Sequence, residues 1–302
     1  MKKLSIILVI VMMLLLAGCT SEKGPSADTL DIVTSFYPIY IATANIVEGA
    51  EGITLTNLTS TEVGCLHDYQ LTTANLMILE KSDILVINGG GMESFIQKVV
   101  DNCKNLKIID SSEGILEEHE EEHEEHEGEH DHGENAHIWV SISLYEKQVE
   151  NICQELMKLD EKNAASYRQN TDTYLAKLDV LKAEMHEALD NIESRNIVTF
   201  HEAFEFFAEE FDLNVVGVVE REPGTYPSAG ELAEIIATIN NTEAKAIFVE
   251  PQYSRTAADT IARETGVPIY TLDPVVSGAL EKDAYEKIMR ENLKNLVEAL
   301  GD

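Results

Sequence analysis

One segment of this sequence constrains the fold more than any other. From Lys162 to Glu193 the chain keeps a helical pattern with neither Pro nor Gly. A helix of that length exceeds the few turns usual within a domain, so it reads as a rigid connector between two halves. On either side, short apolar runs alternate with helical patterns. Before the connector, Thr29–Ser35, Ile53–Thr59, Asp83–Asn88 and Leu106–Asp110 read as strands. Between them Pro38–Glu48, Thr72–Lys81 and Met92–Asn102 read as helices, the first with Pro in its first turn and the second opened by a Thr cap. Ser141–Leu159 is a further helix. After the connector, Asn196–Phe200, Asn214–Val219, Lys245–Glu250 and Pro268–Asp273 read as strands, and Glu202–Phe211, Ser228–Ile239, Thr256–Thr265 and Lys282–Leu300 as helices. The alternation predicts an α/β protein of two lobes, each a four-stranded parallel sheet flanked by helices, joined by one long connector helix. No residue-level repeat relates the halves.

The first residues read as a targeting signal, not as part of the fold. Lys2 and Lys3 precede the apolar run Leu4–Leu16, which is too short for a comfortable membrane span. Leu16-Ala17-Gly18-Cys19 then has the form of a lipobox, the pattern that places a diacylglyceryl thioether on its cysteine. The expected organisation is a signal peptide over 1–19, a tether over 20–28, an N-terminal lobe over 29–160, the connector over 161–194 and a C-terminal lobe over 195–302. The mature chain is then extracytoplasmic and anchored through Cys19. Cys65, Cys103 and Cys153 remain, an odd number that permits at most one internal disulfide. Cys65 stands two residues before His67. It is readable as a metal contact, a small loop residue or half of a disulfide.

A loop over 117–134 is almost entirely Glu and His. Lacking apolar periodicity, it is expected to be disordered. His119, His123, His126, His130 and His132 among its carboxylates form a weak accessory metal-collecting tract. The formal net charge of −33 excludes a nucleic-acid partner, which needs basic surface, and suits a cation. Directly after the loop the character changes to Asn135-Ala136-His137-Ile138-Trp139-Val140, which contains the only Trp.

Four candidate ligands follow strands. His67 lies after the second strand, His137 after the fourth and His201 directly after the fifth, while Asp273 ends the eighth. Open parallel sheets bind ligands beyond the carboxyl ends of their strands. Two sheets facing across a cleft bring the four together, and three imidazoles with one carboxylate suit tetrahedral Zn²⁺. Glu250 competes for the carboxylate role, or accepts the second ring N–H of a ligand histidine. HEAFE at His201 lacks the second His of a metalloprotease helix, and Glu202 reads as a first-turn acid. Glu220 and Arg221 are strand-end charges able to pair across the cleft. His186, on the connector, reads as a surface residue.

The lipobox, the His loop followed by NAHIWVS, VTFHEAFEFFA, AIFVEPQYS and TLDP resemble the metal-receptor lipoproteins of bacterial ABC importers, specifically the zinc-binding members. The resemblance spans nearly the whole mature chain. It implies two α/β lobes joined by one long helix, with metal between them and only small lobe shifts on capture. His67 matches the His of the family's PHDY-type segment, His137 that of NPHIW and His201 that of FHxAF; Asp273 matches the place of a fourth carboxylate. The sequence departs at Leu66, where Pro or Glu is common, and at Ala136, where Pro is common. The implied protein is no enzyme. It is a monomeric Zn²⁺ receptor on the outer face of the bacterial cytoplasmic membrane that serves a permease and its ATPase. The rivals are a manganese or iron receptor of the same class, a three-His zinc hydrolase and an adhesin-type surface lipoprotein.

Overall fold

The computed structural model describes residues 29–66, 69–116, 135–219 and 226–301. Cys19, His67, the histidines of the 117–134 loop, Glu220 and Arg221 lie outside the described residues.

The first half holds β1 (Leu30–Thr34), α1 (Tyr37–Ile46), β2 (Ile53–Asn57), α2 (Thr73–Leu79), β3 (Ile84–Ile87), α3 (Ile96–Asn102) and β4 (Lys107–Asp110). The strands lie parallel in the order β2-β1-β3-β4. β3 reads Ile-Leu-Val-Ile without alternation because helices cover both faces, and all its residues are buried. α2 starts at a capping box: Thr72 Oγ1 accepts the Asn75 N–H, and Asn75 Oδ1 accepts the Thr72 N–H. α3 begins four residues later than the pattern predicts. Gly89, Gly90 and Gly91 all take positive φ, and the Glu93 carboxylate accepts the N–H groups of Asn88 and Gly89, so residues 92–95 turn instead of continuing a helix.

Two long helices follow, α4 (Ile142–Leu159) and α5 (Ala164–Leu189). α5 buries Tyr167, Thr171, Tyr174, Leu178, Leu181, Met185 and Leu189, one stripe at three- and four-residue spacing. That stripe packs on α4, on α1 and on the last helix of the chain.

The second half contains β5 (Asn196–Thr199), a 3-10 turn (Glu202–Phe204), α6 (Glu205–Glu210), β6 (Asn214–Val218), α7 (Ala229–Thr242), β7 (Ile247–Val249), α8 (Thr256–Thr265), β8 (Ile269–Thr271) and α9 (Ala284–Leu300). Its parallel sheet runs β6-β5-β7-β8, the same order as the first. The single helix expected at Glu202–Phe211 is broken into the 3-10 turn and α6. One buried apolar cluster runs from Ile32 and Leu85 through Ile152 and Leu178 to Phe206, Leu272 and Leu296, so both halves share a core. A smaller cluster around Val198, Ile247 and Ile261 serves the second sheet alone.

The halves are also stitched by polar contacts. Glu210 of α6 accepts the N–H groups of Ile142 at 2.7 Å and Ser143 at 3.1 Å, placing a carboxylate on the N-terminus of α4 beside the Ser141 cap. Trp139 Nε1 donates to the Pro274 carbonyl at 2.6 Å, and Tyr285 donates back to the Trp139 carbonyl at 2.8 Å. Tyr37 donates to Ala279 O at 2.6 Å. Gly278 is required opposite it, since a Cβ there would stand 2.7 Å from the Tyr37 hydroxyl oxygen.

Candidate metal centre

His137 sits on the turn that leads into α4. Asn135 Oδ1 accepts the His137 backbone N–H at 3.0 Å and lies 2.8 Å from ring Nδ1. That contact favours the proton on Nδ1 and leaves Nε2 as the lone-pair donor. The turn itself is held from behind: Asn88 Nδ2 donates to the Ala136 carbonyl at 2.9 Å, and Gln148 Nε2 donates to Asn88 Oδ1 at 2.9 Å. The imidazole is buried, with Trp139 beside it at 5.3 Å between ring centroids.

His201 leaves the end of β5, and Glu250 leaves the end of the neighbouring strand β7. The chain crosses to opposite sides of the sheet from these two strands, so the residues stand at its switch point. Glu250 Oε1 is 3.4 Å from His201 Nδ1, short of a formed hydrogen bond, and both atoms are buried with no hydrogen-bond partner among the described residues. Glu250 Oε2 accepts from Gln252 Nε2 at 2.6 Å. Burial pushes the Glu250 carboxyl above the usual carboxylate range, opposed by the adjacent imidazole. The rings of His137 and His201 meet edge to face, 4.8 Å between centroids, although they come from opposite halves.

Cys65 completes a cluster with them. Its sulfur and one nitrogen of each imidazole all lie within 4.8 Å of one another. The thiol pKa is pushed well above its ordinary value by enclosure among protein atoms, with the Glu250 carboxylate adding, although the residue keeps part of its surface in solvent. Cys65, Cys103 and Cys153 are all free thiols, so no disulfide forms among them.

Among the described residues the trio includes neither Asp273 nor Glu250, although Glu250 faces His201. Asp273 is locked in place: its N–H donates to Asn292 Oδ1 at 2.8 Å, its carbonyl accepts from Asn292 Nδ2 at 2.7 Å, and Oδ1 accepts the Val275 N–H at 2.8 Å. Burial raises its carboxyl to about 6, opposed by the Val275 N–H and helped by Glu250. Val275 is left at φ 60, a conformation that a β-branched residue rarely takes. His186 is a half-buried surface residue against Phe211, 4.9 Å between centroids, and takes no part in the cluster. Asn135 was not singled out from sequence. A short polar side chain two residues before a histidine is the available signal, because it can turn back to the main chain.

A family model described as zinc-uptake complex component A, periplasmic (ZnuA), matches residues 32–299.

The chain belongs to this family.

The high-affinity zinc uptake system protein ZnuA of Bacillus subtilis is 32% identical over 95% of this chain and 94% of its own length. The zinc-binding lipoprotein AdcA of Streptococcus pneumoniae is 29% identical over 98% of this chain, which spans 60% of AdcA. Among solved structures, the substrate-binding protein FpvC of Pseudomonas aeruginosa in complex with Mn²⁺ superposes with a TM-score of 0.77 at 27% identity, covering 90% of this chain and 98% of FpvC. The two-lobed α/β fold expected from the sequence is the fold of the ZnuA family.

Proposed function

We propose that the chain is an extracytoplasmic receptor that captures Zn²⁺ in the cleft and delivers it to the permease of an ABC importer driven by its ATPase. The cargo is held by His67, His137 and His201, with Asp273 as a carboxylate at the cleft and Glu250 fixing the His201 ring. The receptor performs no chemistry itself and is tethered through a lipid on Cys19. The observation that carries this reading is the meeting of two buried imidazoles from opposite halves, each with its Nδ1 facing an oxygen acceptor. Such backing presents Nε2 lone pairs inward and is the usual arrangement behind metal-bound histidine. Nitrogen-rich sites favour zinc over manganese, which prefers oxygen. The same burial and the absence of a hydrolase motif in HEAFE speak for cargo over catalysis.

The test is metal competition. The intact chain, stripped with chelator, is titrated with Zn²⁺ against excess Mn²⁺, beside His137→Ala and His201→Ala. One tight zinc site that resists manganese and is lost in both variants is expected. Weak zinc binding indifferent to both substitutions would leave only the 117–134 loop as binder and would overturn the reading. Displacement of zinc by manganese would favour the manganese rival.

A further inference from the structure

The trio at the cleft contains a sulfur that neither the proposed ligand set nor the ordinary zinc-receptor pattern uses. Resting on the zinc-receptor reading, we infer that Cys65 is a thiolate ligand of the captured metal, making the centre a sulfur-containing site.

Three observations converge on this. The Cys65 sulfur lies within 4.8 Å of a nitrogen of both His137 and His201, a spacing that one ion at the centre can bridge. The two imidazoles are nearly fully buried, and each has its Nδ1 facing an oxygen, of Asn135 or of Glu250, so Nε2 is the atom left to bind. The backbone also holds the cysteine at the cleft. Leu66 is wholly buried with its N–H directed at Met92 Sδ at 3.4 Å, and Gly64 takes φ +81 to turn the chain there. Among the described residues Cys65 has no sulfur partner that would give it a structural role instead.

The chemistry balances without a redox partner. The metal takes the place of the thiol proton: the S–H bond breaks, the sulfur electron pair forms the metal–sulfur bond, and the proton leaves to solvent. A thiolate is a soft ligand, so it selects for Zn²⁺ and against Mn²⁺. It also makes the loaded site open to release by thiol-directed oxidants, which an all-imidazole and carboxylate site resists.

X-ray absorption of the zinc-loaded chain tests this without any substitution. One sulfur scatterer at about 2.3 Å is expected beside the nitrogen shell. The Co²⁺-loaded chain should show a near-ultraviolet sulfur-to-metal charge-transfer band. That band should be lost in Cys65→Ser, which keeps a weaker cobalt site, and kept in a Cys103→Ser, Cys153→Ser double variant. Tight zinc and cobalt binding with neither the sulfur scatterer nor the band would overturn this inference and leave the receptor reading standing. Persistence of the band in Cys65→Ser would likewise overturn it. Failure of the unsubstituted chain to bind either metal tightly would overturn both.

Discussion

At the residue scale, the proposed site depends on groups that aim its histidines as much as on the histidines themselves. Asn135 and Glu250 each face the Nδ1 of one cleft histidine. Substituting Asn135→Ala or Glu250→Gln should weaken zinc binding about 10- to 100-fold, measured by competition with a chromophoric chelator. A second residue-scale prediction concerns Glu93. Burial pushes its carboxyl up to about 7, with the N–H groups of Asn88 and Gly89 opposing and Asp110 adding. Its folded pKa lies above the unfolded value, so the folded state holds the proton more tightly. The stability this contributes is complete below about pH 4.5 and is lost as pH rises to about 7, a loss on the order of 3 kcal/mol. Urea denaturation of the metal-free chain across that range should show the fall. A Glu93→Gln variant, which cannot titrate, should lack this part of the slope. That His137 and His201 lie on one side of the sheets is legible in the sequence because each follows a strand. The roles of Asn135 and Glu93 are not, because irregular turns rather than periodic elements bring them onto their near neighbours; the placement of Cys65 is not, since its partners lie far away along the chain.

At the element scale, α5 is the beam of the molecule. Its buried stripe is wholly apolar or aromatic apart from Thr171, and Leu178 lies at its middle with no exposed surface. Leu178→Ala should cost about 2–5 kcal/mol, read as a shift in the urea midpoint with unchanged m-value. Glu210 caps α4 from the other half, so Glu210→Ala should cost about 1–2 kcal/mol through two N–H groups left without that acceptor. The strands and long helices were readable because periodicity survives any tertiary context that covers them as expected. α3 and the segment after His201 depart from their helical patterns. In the first, a run of positive-φ glycines and a carboxylate that binds main-chain N–H groups override helical pattern. In the second, the chain tightens into a 3-10 turn as it leaves β5 for the cleft.

At the scale of the whole molecule, the continuous core decides behaviour. Because one apolar cluster crosses both halves and α5 packs on both, the halves should unfold together. Thermal unfolding of the metal-free chain should give one cooperative transition. Zinc at a hundredfold over its dissociation constant should stabilise it by about 2.7 kcal/mol, and His201→Ala should remove that shift. The Trp139–Pro274, Tyr285–Trp139 and Tyr37–Ala279 hydrogen bonds resist wide opening. Solution scattering should therefore show little change in radius of gyration on zinc capture.

Strand and helix identity, the two-unit plan and the long connector followed from local patterning, which is a property of consecutive residues. The order of the sheets is also local in origin: right-handed crossovers leave few ways to join such units. What the tertiary structure alone decided is which side chains share the cleft. His137 and His201 are 64 positions apart, and Cys65 lies a further 72 before His137. Their meeting depends on how two sheets pack across one core, with Trp139, Glu210 and Tyr37 setting the distance. Neither periodicity nor spacing along the chain encodes that, because the energy that fixes it comes from contacts between residues with no local relation.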